Sequence, residues 1–89
     1  MTENGIADAS DSMRKRYLVG HLEAIQRAVE LDGVPVRGYY HWSLIDNLEW
    51  SSGYRVRFGL YSVDPVSKRR TPKASATIFR HIAEANRLP

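Results

Sequence analysis

The run Val36-Arg37-Gly38-Tyr39-Tyr40-His41-Trp42-Ser43-Leu44 constrains this chain more than any other feature. It is dense in aromatic and branched residues, and its apolar character is nearly continuous. That pattern predicts a strand covered on both faces, as in a parallel sheet. Parallel neighbours cannot be joined by a tight turn and need a crossover, usually a helix, and helical patterns flank the run on both sides. Upstream, Leu18, Leu22, Ile25 and Val29 recur at i, i+4, i+7 and i+11 and predict a helix from about Ser12 to Leu31. Asp11 or Ser12 suits its N-cap, and Gly33 suits the left-handed position that closes it. Downstream, Thr71-Pro72 reads as N-cap and first helical residue, with Ala74, Ile78, Phe79 and Ile82 as the buried stripe. Between them, residues 45–57 form a polar loop, Phe58 to Val63 a short extended piece, and Asp64-Pro65 through Lys68-Arg69-Arg70 an exposed turn.

The order is a strand-end loop followed by one complete and one partial β/α repeat, an α/β chain with a parallel sheet and right-handed crossovers. One or two strands leave both sheet edges open. The chain therefore reads as part of a larger sheet. A full eightfold barrel takes roughly 250 residues, so these 89 would supply its last quarter to third. The 43% hydrophobic content fits one globular unit. The absence of Cys excludes a disulfide framework and thiolate chemistry, and makes the cytoplasm the expected compartment. No apolar run reaches the roughly 20 residues that span a bilayer, and the N-terminal MTENGIADAS lacks the pattern of a signal peptide.

A net charge of +3 permits contact with nucleic acid without requiring it. The basic triplets Arg14-Lys15-Arg16 and Lys68-Arg69-Arg70 are expected to be solvated faces, and the glycines form no phosphate cradle. His21, His41 and His81 lack two-ligand spacing, so no metal or other cofactor is expected. His21 is expected to be a hydrogen-bonded helix histidine. Neither nucleic acid nor a membrane is an expected partner.

Three features exceed what packing needs: Glu3 within Thr-Glu-Asn-Gly, the stretch Trp42 to Trp50, and Arg57-Phe58-Gly59-Leu60. All flank predicted strand ends. A carboxylate at the C-terminal end of a strand, beside a Gly that allows a tight turn, is where barrel enzymes hold catalytic groups; a solvated terminal charge is the plainer account of Glu3. Two Trp bracketing Asp46, Asn47 and Glu49 suit a sugar, with indole faces against C–H surfaces and polar groups on hydroxyls. Two packed tryptophans among surface polar residues would look the same.

Taken together, Thr2-Glu3-Asn4-Gly5-Ile6-Ala7-Asp8, Trp42-Ser43-Leu44-Ile45-Asp46-Asn47-Leu48-Glu49-Trp50 and Arg57-Phe58-Gly59-Leu60 with Val63-Asp64 resemble, in order, three motifs of the family 1 glycoside hydrolases. These are β-glucosidases and β-galactosidases built on a (β/α)8 TIM barrel, and the resemblance covers the whole chain. The wording of Arg16-Tyr17-Leu18 and His21-Leu22 is similar to archaeal or thermophilic members. The resemblance implies the end of strand seven through helix eight. It implies that Glu3 is the nucleophile of a retaining mechanism, that Trp42 stacks beneath the sugar, and that Glu49 binds the hydroxyls at the far end of the glycone. Trp50 would donate its indole N–H to a neighbouring hydroxyl, and Phe58 would wall the pocket. The Glu49-Trp50 pair implies an unphosphorylated β-glycoside or oligosaccharide as substrate, and Leu48 replaces a common Phe as an apolar swap.

One departure carries weight. Retention needs a second carboxyl about 5 to 5.5 Å from the nucleophile, which the family carries in an Asn-Glu-Pro motif, and this sequence contains none. Strand seven is cut to Met1-Thr2. The isolated chain is therefore expected to be inactive, with the remaining barrel strands coming from another chain or from self-association. The alternative is a non-catalytic carbohydrate- or protein-binding module that uses Trp42, Glu49 and Trp50 as a platform.

Overall fold

The computed structural model describes residues 2–48, 51 and 53–89. Two helices dominate it: α1, Arg14–Asp32, and α2, Ala74–Ala85. Between them a hairpin pairs β1, Tyr61–Val63, with β2, Arg70–Pro72, antiparallel, in the register Tyr61 to Pro72 and Val63 to Arg70. Asp64 shapes the connection by accepting the Val66 and Ser67 backbone N–H groups at 2.9 and 2.8 Å.

Helix α1 matches its predicted span, and Gly33 closes it at φ 65°. Leu18 is buried, Leu22 and Ile25 are half-buried, and Val29 is exposed. The caps differ from expectation. Neither Asp11 nor Ser12 caps α1; Asp8 reaches forward instead, accepting the Met13 and Arg14 N–H groups at 2.8 and 3.1 Å. Asp11 caps the other helix, taking the Ser75 N–H at 3.0 Å and its Oγ–H at 2.7 Å. Thr71-Pro72 does not open α2: both residues lie in β2, and the helix begins at Ala74 after an extended Lys73. A Pro that lacks an N–H fits a strand of such a small sheet, where one side has no partner. Ser75 and Ala76 are the buried residues of α2, with Ile78, Phe79 and Ile82 half-buried and Ala74 exposed.

The run from Val36 to Leu44 is extended but is no regular strand. Its segment makes isolated parallel bridges, Asn4 with His41 and, just beyond it, Ile45 with Tyr61. A ladder needs a neighbour along its length, and these neighbours reach it only locally. Nor is it covered on both faces. Tyr39, His41 and Ser43 point inward, while Tyr40, Trp42 and Leu44 are 67%, 39% and 65% exposed.

The buried polar centre also departs from expectation. Arg14 is not part of a solvated triplet: its side chain is fully buried, while Lys15 and Arg16 are exposed. Its guanidinium binds Asp11 and donates to the Asp8, Arg57 and Ile6 carbonyls at 2.6, 2.7 and 3.2 Å. Leu18, Leu60 and Ala76 are the buried hydrophobic residues among those described. The chain exposes 6656 Å², against about 5300 Å² for a compact monomer of its mass.

Burial opposes ionisation of both Asp8 and Asp11, yet their hydrogen bonds and the Arg14 charge outweigh it and hold both carboxyls below 3.8. Each therefore stabilises the fold fully above the unfolded value, and that contribution is lost as pH falls through the depressed folded values. Helical ellipticity should fall on acidification below about pH 4. Asp11→Asn should weaken the fold at neutral pH and flatten this acid transition, which parallel pH titrations by circular dichroism check.

Candidate active site

The first extended residues lie beside the middle of the chain. Asn4 donates its backbone N–H to the Tyr40 carbonyl at 3.1 Å, and its carbonyl accepts the Trp42 N–H at 2.7 Å. Laterally paired residues of neighbouring extended segments project to one face, and successive residues alternate. Asn4 and His41 therefore share the face toward the helices, where Tyr39 and His41 lie 6.1 and 6.3 Å from Phe79 between ring centroids. Glu3, Tyr40 and Trp42 share the opposite, exposed face. Two of the residues singled out in the sequence are thus brought to one surface. Gly5 permits the approach, because a Cβ there would overlap the Trp42 carbonyl. The Trp42-Ser43 peptide is cis.

The next ladder carries Phe58. Ser43 N–H donates to the Phe58 carbonyl at 3.1 Å, and Leu60 N–H returns to the Ser43 carbonyl at 2.9 Å. Phe58 is half-buried one segment away from Trp42. Its neighbour Arg57 offers its carbonyl to the Asp8 N–H at 2.9 Å and to buried Arg14. Gly59 is required here as well, since a Cβ would collide with the Ile45-Asp46 backbone. Glu49 and Trp50 lie outside the described residues.

Asp46 is engaged in structure. Its Oδ1 accepts the Gly59 N–H and the Lys73 ammonium, both at 2.9 Å, and Arg57 Nη1 approaches Oδ2 at 3.5 Å. The buried Ser43 hydroxyl donates to the Ile45 carbonyl at 2.8 Å, and Asn47 Nδ2 donates to the Ser43 hydroxyl at 3.3 Å. The sequence motif thus divides: Ser43, Asp46 and Asn47 hold the loop, while Trp42 faces outward. An open cleft of about 390 Å³, lined in part by Asn47, Leu48, Tyr54, Arg57 and Lys68, includes neither Glu3 nor Trp42. The face bearing those two is a wall rather than an enclosed pocket.

Sequence reasoning missed Asn4, Tyr17 and Tyr39. The Asn4 side chain donates to Tyr17 Oη at 3.1 Å, meets His21 Nδ1 at 2.9 Å, and accepts the Tyr39 hydroxyl at 2.8 Å. The available signal was the Tyr17 and His21 pair, four residues apart and so on one helix face; His21 is hydrogen-bonded, as expected. Burial, with the nearby Tyr17, pushes the Tyr39 phenol up to about 12. Burial also holds the His41 imidazole below its usual value. Among the described residues no cluster of His, Cys, Asp and Glu could hold a metal ion, and no helix is long and apolar enough to cross a membrane.

The sequence profile of glycosyl hydrolase family 1 matches residues 1–88. The β-galactosidase of Sulfolobus acidocaldarius is 52% identical over 87 residues, which cover 98% of this chain and 18% of that protein. A peroxisomal β-glucosidase of Arabidopsis thaliana is 48% identical over 90 residues, covering 85% of this chain and 16% of its own length. In three dimensions the hyperthermophilic β-glucosidase of Pyrococcus furiosus superposes with a TM-score of 0.96 at 52% identity, over all of this chain and 19% of that one. The chain thus spans about a fifth of the length of the relatives it matches. With the profile covering nearly every residue, and TIM-barrel β-glucosidases as its structural neighbours, the chain belongs to glycosyl hydrolase family 1.

Proposed function

We propose that these residues form the C-terminal β/α units of a (β/α)8 barrel, from the end of strand seven through helix eight, in a retaining β-glycosidase acting on terminal unphosphorylated β-D-glycosides. Glu3 is the nucleophile, and Trp42, Glu49, Trp50 and Phe58 bind the glycone. One observation carries this reading. Glu3 and Trp42 emerge on the same uncovered face of adjacent parallel segments whose other face packs toward the helices, which is how a barrel strand presents catalytic groups. The large exposed area supports a unit that packs against further strands.

The chemistry follows from two carboxyl groups. The Glu3 carboxylate attacks the anomeric carbon, the bond to the leaving oxygen breaks, and that oxygen takes a proton from the second carboxyl. Water, deprotonated by that same group, then hydrolyses the glycosyl ester and restores Glu3. The 89 residues contain no Asn-Glu-Pro, so the proton donor is assigned to the strands that complete the barrel, whether from a longer polypeptide or a different partner chain. The 89 residues alone are expected to be inactive.

A graft tests this: the 89 residues replace the corresponding segment of the Pyrococcus furiosus β-glucosidase. The graft should hydrolyse an aryl β-glucoside, and the isolated chain should not. A 2-deoxy-2-fluoro glycoside with a dinitrophenolate leaving group, whose fluorine slows formation and hydrolysis of the ester by destabilising cationic transition states, should expel the phenolate and leave the mass of its fluoroglycosyl group on the peptide containing Glu3. A folded graft that binds glucose but neither turns over nor becomes labelled would replace this reading with a non-catalytic sugar-binding module.

A further inference from the structure

Resting on the reading of Glu3 as nucleophile, we propose that Asn4 is its positioning residue: the Asn4 side chain locks the segment bearing Glu3 to α1 and to the neighbouring extended segment, and so aims the carboxylate without touching substrate. Among the described residues nothing bonds to the Glu3 side chain to orient it. It is exposed, and no hydrogen bond or ion pair joins its side chain to another described residue. Within these residues its direction is set by the backbone at residues 3 and 4.

That backbone is fixed by one residue used to the full. An Asn amide offers two N–H donors and a carbonyl acceptor. Here the donors meet Tyr17 Oη and His21 Nδ1, and the acceptor takes the Tyr39 hydroxyl. The backbone N–H and carbonyl of Asn4 are both paired too, with Tyr40 and Trp42. The partners are themselves held in place. Tyr17 and His21 stand one helical turn apart with rings stacked at 4.0 Å and 24°. The Tyr39 phenol is held as the donor to Asn4 Oδ1, and burial raises its pKa further. Side-chain alternation turns this into aim: with Asn4 fastened on the helix side, Glu3 must project to the face of Trp42. On the other flank, the close approach of Gly5 to the Trp42 carbonyl leaves little slack.

Displacing a reacting group by about 1 Å can cost on the order of 100-fold in rate. In the graft, Asn4→Ser, too short to reach all three partners, should lower kcat for an activated aryl β-glucoside by roughly 10- to 100-fold with KM changed by less than about threefold. Tyr39→Phe, which removes one hydrogen bond and keeps the ring, should show the same split at about 3- to 10-fold. The decisive background is Glu3→Ala with azide. Azide enters where the carboxylate stood, forms the C–N bond as the C–O bond to the aryloxide breaks, and yields the α-glycosyl azide. A nucleophile not attached to the backbone does not need Asn4 for its aim. Asn4→Ser should therefore cost less than about threefold in that background. A penalty that persists undiminished there, or is absent from the parent graft, overturns the positioning role. If Glu3→Ala keeps full turnover, or azide restores nothing, the assignment of Glu3 itself falls and the proposal with it. Tyr39→Phe keeps the test decisive should Asn4→Ser not fold.

Discussion

Glu3→Gln in the barrel graft should remove turnover by on the order of 10⁴- to 10⁶-fold, the scale on which losing a nucleophile weighs in covalent mechanisms, while leaving sugar affinity almost unchanged. Glu and Gln have nearly the same shape, and Glu3 makes no hydrogen bond or ion pair with another described residue that the change could break. What is lost is the negative charge and the lone pair that forms the ester. An amide oxygen neither attacks the anomeric carbon at a useful rate nor stabilises its developing positive charge. Binding is a separate property, because Trp42 contributes an aromatic face that the substitution leaves alone. Initial rates on an aryl β-glucoside and calorimetric binding of a non-hydrolysable thioglycoside separate the two. Loss of affinity in step with turnover, or a loss below about tenfold in kcat, would take the nucleophile role away from Glu3.

How much of this was legible depended on whether a signal was local. The span of α1 and its closing Gly33 were readable because a 3.6-residue stripe and a left-handed glycine need only their neighbours. Capping was not. Asp11 has the chemistry of an N-cap, but the N–H it accepts belongs to Ser75, 64 positions away, and propensity does not say which helix a carboxylate will serve. Thr71-Pro72 failed for a related reason, since pairing with β1 recruits both residues into a strand before α2 begins. The alternation of Tyr39, His41 and Ser43 against Tyr40, Trp42 and Leu44 was hidden because both faces carry aromatic or apolar groups. One face meets Phe79; the other is open here. Of the candidate site, Glu3 and Trp42 were legible through motifs at strand ends, and the structure sets them on one face. The Asn4 network was legible only in its Tyr17 and His21 pair, because Asn4 and Tyr39 join that pair through tertiary contact.

Arg14→Leu should destabilise the assembled barrel by about 3 to 5 kcal/mol, the range for removing one member of a buried ion pair. Arg14 stood in a basic triplet that the sequence presents as surface, yet its side chain is fully buried, and its guanidinium ties the stretch from Ile6 to Asp11 to Arg57. The Ile6 and Asp8 carbonyls follow the Glu3 loop, the Arg57 carbonyl precedes Phe58, and Asp11 connects onward to the start of α2. Leucine fills part of the space but leaves these carbonyls facing a side chain that cannot donate, and it leaves Asp11 with Ser75 alone as its partner. Lysine is no equivalent: one ammonium lacks the planar fork that reaches Asp11 and three carbonyls at once, so Arg14→Lys should recover only part of the loss. In Arg14→Leu/Asp11→Leu the carboxylate that the single change strands is gone as well, so the double change should cost less than the sum of the single ones, as expected for residues in one network. Urea midpoints of the graft and its four variants, Asp11→Leu included, measure each value. A single-variant loss below about 1 kcal/mol, the scale of one ordinary hydrogen bond, would show that Arg14 fills space without pinning the segment after Glu3 to the Phe58 segment.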